Sequence, residues 1–417
     1  MGRRVVPGKA PRQAEIEMAD RCGLHAQAVK QRTQRIHHRP DDSADMPDCA
    51  AWRPALRRAN MAALQRTPEI TMYPFEDGQT FPKNHWYIAA CSHEVGRALF
   101  ERTILEERLV FYRKEDGTPV ALDGICPHRN LPMVQGELEG DAVRCRYHGF
   151  RFDTDGRCTD IPSQPTVPSS FTTRAYPVLE RWQWIWVWMG DPAKADPALL
   201  PDMAFCGLGA PGWRADSNGV MHLKARFSLL IDNLMDLSHI AFLHVQSIGK
   251  LERATVAAEM TEENGRVHVV RCTPNQPAEG FHRFLHPNCN GPVDLTMRSD
   301  FLGPGLINAG GPYSVMNGTG EPVGRLNFVH GFTPETLQTT HYFPAVARDF
   351  RLDDEGLSQA LLGQERKVLA EDVPALEHVE LSVQRLGNTR RELSVMADAG
   401  AMRVRRRLIE MMKAEAQ

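Results

Sequence analysis

Cys126-Pro127-His128, answered after sixteen intervening residues by Cys145-Arg146-Tyr147-His148, constrains this chain more than any other stretch. Each half offers one thiol and one imidazole two or three residues apart. Strand-like residues flank the pair, Val120-Ala121-Leu122 before it and Phe150-Arg151-Phe152 after it, and Pro127, Gly136, Gly140 and Gly149 punctuate the loops. Two short loops at the ends of neighbouring strands can therefore present two sulfurs and two nitrogens together. Such a donor set suits a tetrahedral zinc or a [2Fe–2S] centre in which two His replace two Cys on one iron. The spacing favours the cluster, because zinc sites more often pair Cys with nearby Cys and His with nearby His.

A second constellation lies at residues 232–244. Leu230, Leu234 and Leu237 fall at i, i+4 and i+7 and give the segment an amphipathic helical pattern. Asn233, Asp236 and His239 follow at i, i+3 and i+6, which places them along one side of that helix. His239 and His244 are five residues apart, roughly 140° round an ideal helix. They can share one metal only if the helix ends or bends between them, which Ser238 permits.

Composition sets outer limits. The 417 residues have room for two or three domains, and a 42% hydrophobic share supports a sizeable core. A net charge of −3 gives no general argument for nucleic acid or an acidic membrane surface. The longest apolar run falls far short of the ~20 residues that span a bilayer, and no signal peptide is visible. Apart from the motif pair, the nine cysteines show no pattern and read as reduced thiols, which points to the cytoplasm. Residues 1–70 hold 13 Lys and Arg against 8 Asp and Glu. They lack a sustained apolar period, so residues 1–72 read as a disordered basic tail or an over-long start. Short strands with Asp-Gly turns follow. Among them, Trp182, Trp184, Trp186 and Trp188 alternate and face one way, as one packed face of a β-domain. Gly207-x-Gly209-x-x-Gly212 matches a dinucleotide fingerprint in form only, since Pro211 sits inside it and no helix follows. Any reducing equivalents must come from another protein.

At C-P-H-R-N-L-P…C-R-Y-H-G-F-R-F the sequence resembles the Rieske non-heme iron aromatic-ring oxygenases, oxygenase component. Leu131 and Tyr147 stand where respiratory Rieske proteins carry an extra Cys pair. The segment N-x-x-D-x-x-H-x-x-x-x-H at 233–244 resembles the one that supplies two ligands of a mononuclear Fe2+ in that family. Leu369-Ala-Glu-Asp-Val-Pro-Ala-Leu-Glu resembles the segment that supplies its carboxylate. Of Asp353, Asp354, Glu371 and Asp372, the resemblance selects Asp372, with Glu371 second. Pro374 is expected to kink that helix. His330-Gly-Phe-Thr-Pro-Glu-Thr336 resembles the vanillate and dicamba O-demethylase branch, in which a His at this place touches a substrate carboxylate.

The resemblance implies an α+β chain: an N-terminal Rieske β-sandwich over 73–192, then a helix-grip (START-like) catalytic domain over 193–417, a curved antiparallel sheet wrapped round a long helix. It implies a [2Fe–2S] cluster on Cys126, Cys145, His128 and His148, and Fe2+ on His239, His244 and Asp372. Asp236 would bridge His148 of one subunit to His239 of the next, which asks for a ring, most simply a homotrimer. NAD(P)H would act through a separate flavin or iron–sulfur reductase, with a ferredoxin as a further option. O2 and a small aromatic compound would be the substrates, with no nucleic-acid or membrane partner. The reaction expected is O- or N-dealkylation by monooxygenation, within aromatic catabolism. The alternative is ring or angular dihydroxylation by a dioxygenase. Two rivals from other classes are a redox-sensing ligand-binding protein and a bare electron carrier. The carrier leaves some 200 residues after the cluster domain unexplained.

Overall fold

The computed structural model describes residues 73–75, 80–251, 255–277, 280–285, 292–309, 324–387 and 392–416. Every described residue belongs to one compact unit, Pro68–Gln417. The expected tail, residues 1–72, lies outside the described residues.

Eleven short strands build the first part: β1 (Trp86–Cys91), β2 (Phe100–Ile104), β3 (Glu107–Arg113), β4 (Pro119–Asp123), β5 (Glu137–Glu139), β6 (Ala142–Arg144), β7 (Arg151–Phe152), β8 (Cys158–Asp160), β9 (Ala175–Tyr176), β10 (Val178–Arg181) and β11 (Trp184–Trp188). They form three antiparallel sheets, β1-β11-β10, β2-β3-β4-β9 and β5-β6-β7-β8. Trp184, Trp186 and Trp188 pack on one face of β11 with Ile88, Val329, Phe343 and Ala345, while Ile185 and Val187 enter a second core. The tryptophan ladder is thus a buried face of a strand covered on both sides. Trp182 departs from it: it sits in the β10–β11 turn with φ 56° and meets Trp184 edge-on at 4.7 Å. The glycine triplet at 207–212 follows a three-residue turn, Ala204–Cys206, and leads into a strand rather than a helix.

The second part holds β12 (Arg214–Ser217), β13 (Met221–Leu223), α1 (Phe227–Met235), α2 (Ile240–Leu243), β14 (Glu259–Glu263), β15 (Arg266–Gln276), α3 (Gly280–Leu285), β16 (Val293–Gly303), β17 (Leu306–Ala309), β18 (Leu326–Pro334), β19 (Thr340–Arg348), α4 (Glu355–Leu386) and α5 (Ala399–Glu415). One eight-stranded antiparallel sheet runs β12-β19-β18-β17-β16-β15-β14, with β13 also on β19. α1 and α5 pack with the sheet through Leu230, Ile231, Val267, Val269, Val404 and Leu408. The C-terminal helix therefore spends its apolar side on the protein itself.

α4 is the organising helix. Asp354 caps it by accepting the Leu357 N–H at 2.9 Å, and it runs as one helix through Pro374. Leu357, Leu361, Glu365, Leu369, Asp372, Leu376 and Glu380 form its buried stripe, three or four residues apart, as a 3.6-residue period requires. Three carboxyls thus ride on an apolar stripe. One of them, Glu380, holds Arg226 at the start of α1 through two 2.7 Å bonds, from Nε to Oε2 and from Nη2 to Oε1. That clamp fixes α1 against α4.

The outer face of β18 and β19 takes the first part of the chain. Gly331 makes this possible: a Cβ there would lie 2.3 Å from Ile88 Cδ1. Thr333 Oγ1 donates to Ile88 O at 2.7 Å, and the Leu105 N–H donates to Pro334 O at 2.8 Å. With both faces covered, β19 is buried along its whole length. No helix among the described residues is long and apolar enough to cross a membrane.

Candidate metal centres and cavity

The two Cys–His loops, between β4 and β5 and between β6 and β7, share one construction. The Cys126 N–H donates to Leu131 O at 2.9 Å and the Asn130 N–H to Cys126 O at 3.0 Å. The Cys145 N–H donates to Phe150 O at 2.8 Å and the Gly149 N–H to Cys145 O at 2.9 Å. Asn130 (φ 60°) and Gly149 (φ 77°) turn the chain back at equivalent places. The result puts both thiols inside, each 2% exposed, and both imidazoles at the surface. The His128 and His148 rings lie 4.5 Å apart, and Phe150 stacks on His128 at 4.4 Å. Burial pushes the Cys126 thiol up to about 11, the Cys145 thiol beside it adds to this, and the His128 and Arg129 backbone amides oppose it. Paired thiols inside and paired imidazoles outside match a two-iron cluster with one iron on each pair. A single tetrahedral ion would need all four donors within its own short bond lengths. Among the described residues, only His239, His244 and Asp372 gather three such donor atoms within 4.8 Å of one another.

That second group comes from two distant segments. α1 stops at Met235, Asp236 is extended (φ −107°, ψ 106°), and α2 starts at Ile240. The break therefore falls before His239, and the single turn of α2 runs between the histidines and ends at Leu243. The break also means that Asp236 and His239 lie beyond α1 rather than along its side, because the Asp236 carboxylate takes the Ser238 N–H (2.7 Å) and Oγ (2.8 Å) and turns the chain. The His239 and His244 rings face each other at 5.2 Å. His244 Nε2 is 3.2 Å and His239 Nε2 3.8 Å from Asp372 Oδ1. Each Nδ1 is engaged elsewhere, His239 with the Asp236 backbone carbonyl and His244 with Glu371 Oε2 at 2.7 Å. Both rings thus turn Nε2 inward. Burial holds His239 below the usual range. At His244 burial acts the same way, but Asp372 and Glu371 outweigh it and lift the group. Asn233 Nδ2 donates to Asp372 Oδ1 at 3.2 Å. Asp372 is only 6% exposed, so this is not a solvated acidic helix face.

Two imidazoles and one carboxylate on one side, with other directions open to a cavity, are the donor set of a mononuclear Fe2+ that must leave room for O2 and substrate. His239, His244, Asp372, His330 and Leu369 all line that cavity. His330, on β18, is buried, and its Nδ1 contacts the Tyr342 hydroxyl. Burial lowers it to about 4, so it is neutral. Glu365 lines the same cavity, and sequence reasoning missed it. The α4 periodicity contained the signal: Glu365 lies seven residues before Asp372, on the same stripe.

Residues 85–172 match the Rieske [2Fe-2S] domain and residues 223–414 the vanillate O-demethylase oxygenase C-terminal domain. The toluene-4-sulfonate monooxygenase system iron-sulfur subunit of Comamonas testosteroni is 34% identical, over 80% of this chain and 98% of that protein. The oxygenase component of chloroacetanilide N-alkylformylase from Rhizorhabdus wittichii is 33% identical, over 80% and 97%. The crystal structure of dicamba monooxygenase bound to 3,6-dichlorosalicylic acid superposes with a TM-score of 0.71 at 32% identity, over 81% of this chain and 99% of that one. The chain belongs to the Rieske non-heme iron aromatic-ring oxygenases, as an oxygenase component of the vanillate and dicamba O-demethylase branch. It is an α+β enzyme whose cofactors are a [2Fe–2S] cluster and non-heme iron, and it works with a separate electron-delivering protein.

Proposed function

We propose that this chain is the terminal oxygenase of a multi-protein system that removes an O- or N-alkyl group from an aromatic compound. The observation that carries the reading is the convergence of His239, His244 and Asp372 on the wall of a buried, largely apolar cavity. The names of the relatives, a chloroacetanilide N-alkylformylase among them, support the reaction class. For a methyl aryl ether, one O2, two electrons and two protons give a phenol, formaldehyde and water.

When bound, the iron activates O2, and the cluster relays electrons that a separate reductase takes from NAD(P)H. Cys126 and Cys145 would hold one cluster iron, and the exposed His128 and His148 would hold the other where a partner can reach it. Asn233 steadies Asp372. His330, neutral and fixed by Tyr342 at Nδ1, turns its other nitrogen to the substrate. The functional units are 73–192 and 193–417, and each family match falls inside one of them.

In a homotrimer, the Asp236 side chain would link His148 of one subunit to His239 of the next and so join the two metal sites. Two features support this. Asp236 opens into a surface hollow of about 780 Å³ also lined by Tyr73, Asn233, Val379 and Arg405. Its peptide carbonyl already touches His239 Nδ1.

The test is a product assay with a surrogate reductase, NADH and O2 over methoxy- and N-alkyl-aromatic compounds. Formaldehyde or another aldehyde, released with a phenol or an amine, is the expected outcome. A diol from a ring substrate would replace the reading with dihydroxylation. Asp372→Asn should abolish product while the visible spectrum of the cluster persists.

A further inference from the structure

Glu365 is 2% exposed. Its Oε2 accepts from Asn218 Nδ2 at 2.8 Å, and its Oε1, equally buried, has no hydrogen-bond partner among the described residues. The cation that acts on it, Arg366, points Nε at Asn218 Oδ1 (2.7 Å) rather than at the carboxyl. Tyr342 on β19, His330 on β18, Asp372 on α4, and His239 and His244 beside it are the other titratable groups around the cavity. His330 is held neutral, and His239 and His244 turn their Nε2 to Asp372 at the metal position, so no cationic side chain is paired with Glu365. No Lys or Arg is found among the described residues that line the cavity.

A carboxylate here would be a buried charge without a counter-ion, which costs far more than a buried neutral acid. The carboxyl is therefore protonated at neutral pH, and burial pushes it up to about 8. Because Oε2 already accepts the Asn218 N–H, the proton belongs on Oε1. No described protein group accepts that O–H.

We propose that Glu365 is a specificity-determining residue that donates its Oε1–H to an uncharged acceptor oxygen, such as an amide or ketone carbonyl, on the aromatic substrate. The resemblance implied a substrate carboxylate at His330, but away from the metal position the described walls offer an anion no cationic side chain, and a carboxylate beside Glu365 would have to share its proton. The inference rests on the oxidative reading above for the substrate being aromatic. Its test is separate, because it measures binding without turnover.

Equilibrium dialysis of oxidised, iron-replete protein, with no reductase present, would compare three aromatic ligands of one shape: a methoxybenzamide, the matching methoxybenzoate and the matching hydrocarbon. The carboxamide should bind at least ~10-fold more tightly than the carboxylate. Its affinity should fall as pH rises through about 8, where Glu365 ionises. In Glu365→Gln the side-chain carbonyl can accept from Asn218 and the amide N–H can face the ligand. That variant should keep carboxamide affinity and lose the pH dependence. Glu365→Leu should lose affinity for the carboxamide and not for the hydrocarbon. A wild-type preference for the carboxylate, an equal loss for both ligands in Glu365→Leu, or a pH dependence that survives in Glu365→Gln would each overturn the assignment. Tight carboxamide binding without any dealkylation would instead count against the proposed reaction alone.

Discussion

His244 donates its Nδ1–H to Glu371 Oε2 at 2.7 Å while its Nε2 faces Asp372 Oδ1 at 3.2 Å. One imidazole thus stands between two consecutive carboxylates of α4 that have different tasks. The Nδ1–H bond fixes the tautomer that leaves the Nε2 lone pair free for a metal. Ser247 Oγ donates to the same Glu371 oxygen at 2.6 Å, so that carboxylate is turned away from the metal position. Of the two acids that the resemblance ranked first, Asp372 has the geometry of a ligand and Glu371 that of its neighbour's anchor.

Replacing Glu371 by Gln should keep the fold and the three donors but weaken the hold on the His244 tautomer. Iron affinity should drop roughly 10–100-fold, the usual cost of losing such a partner. Competition with a graded series of chelators reads this directly. An unchanged affinity would show that the bond to His244 is incidental.

Asp236→Asn should leave iron content and the cluster spectrum unchanged while slowing single-turnover product formation roughly 10–100-fold. The mutant amide still accepts from Ser238, so the local turn is preserved. Wild-type single-turnover rates would remove the Asp236 side chain from the electron path and leave only its backbone carbonyl at His239.

The cluster loops were legible because each is a short contiguous turn whose ligands and glycines sit side by side in the chain. That one unbroken helix could not carry both histidines to one metal was legible as a geometric necessity. The break expected between them falls before His239 instead, where the Asp236 carboxylate turns the chain at Ser238, and no period marks that place. Asp372 stands more than a hundred residues from the histidines, and no local pattern joins them; the family resemblance selected it. Glu365 escaped because an acid on an amphipathic helix reads as solvated until the sheet is seen to cover it. Trp182 was misplaced by one strand end, since alternation alone does not show where a hairpin turns.

The Arg226–Glu380 pair should behave as a buried bidentate bridge, with side chains 4% and 1% exposed. Glu380→Ala strands a guanidinium at the start of α1 and should cost about 3–5 kcal/mol. Arg226→Met together with Glu380→Leu should recover most of that loss, apart from the Arg226 bond to Tyr73 O at 2.7 Å. Urea unfolding of the iron-replete proteins would measure both. A single mutant as stable as wild type would mean that water reaches the pair.

His341 gives the chain an acid-sensitive seam. Its Nε2–H donates to the Thr103 carbonyl at 3.0 Å and so ties β19 to β2. Burial and the neighbouring Arg102 hold it down at about 4, against an ordinary value of 6.5, and Glu335 opposes them. The folded form therefore resists a proton that the unfolded chain accepts. Above pH 6.5 neither state binds it and the contribution is complete. Between 6.5 and about 4 the unfolded chain holds more protons, so stability falls with falling pH by up to ~1.4 kcal/mol per unit from this group, then levels off. His85 and His330 are lowered to about 4 as well and act in the same window. His341→Gln keeps a donor for Thr103 but does not titrate. Its unfolding midpoint, compared at pH 7 and pH 5, should drop less than that of wild type. An equal drop in the two proteins would place the acid sensitivity in the other two histidines and not in this seam.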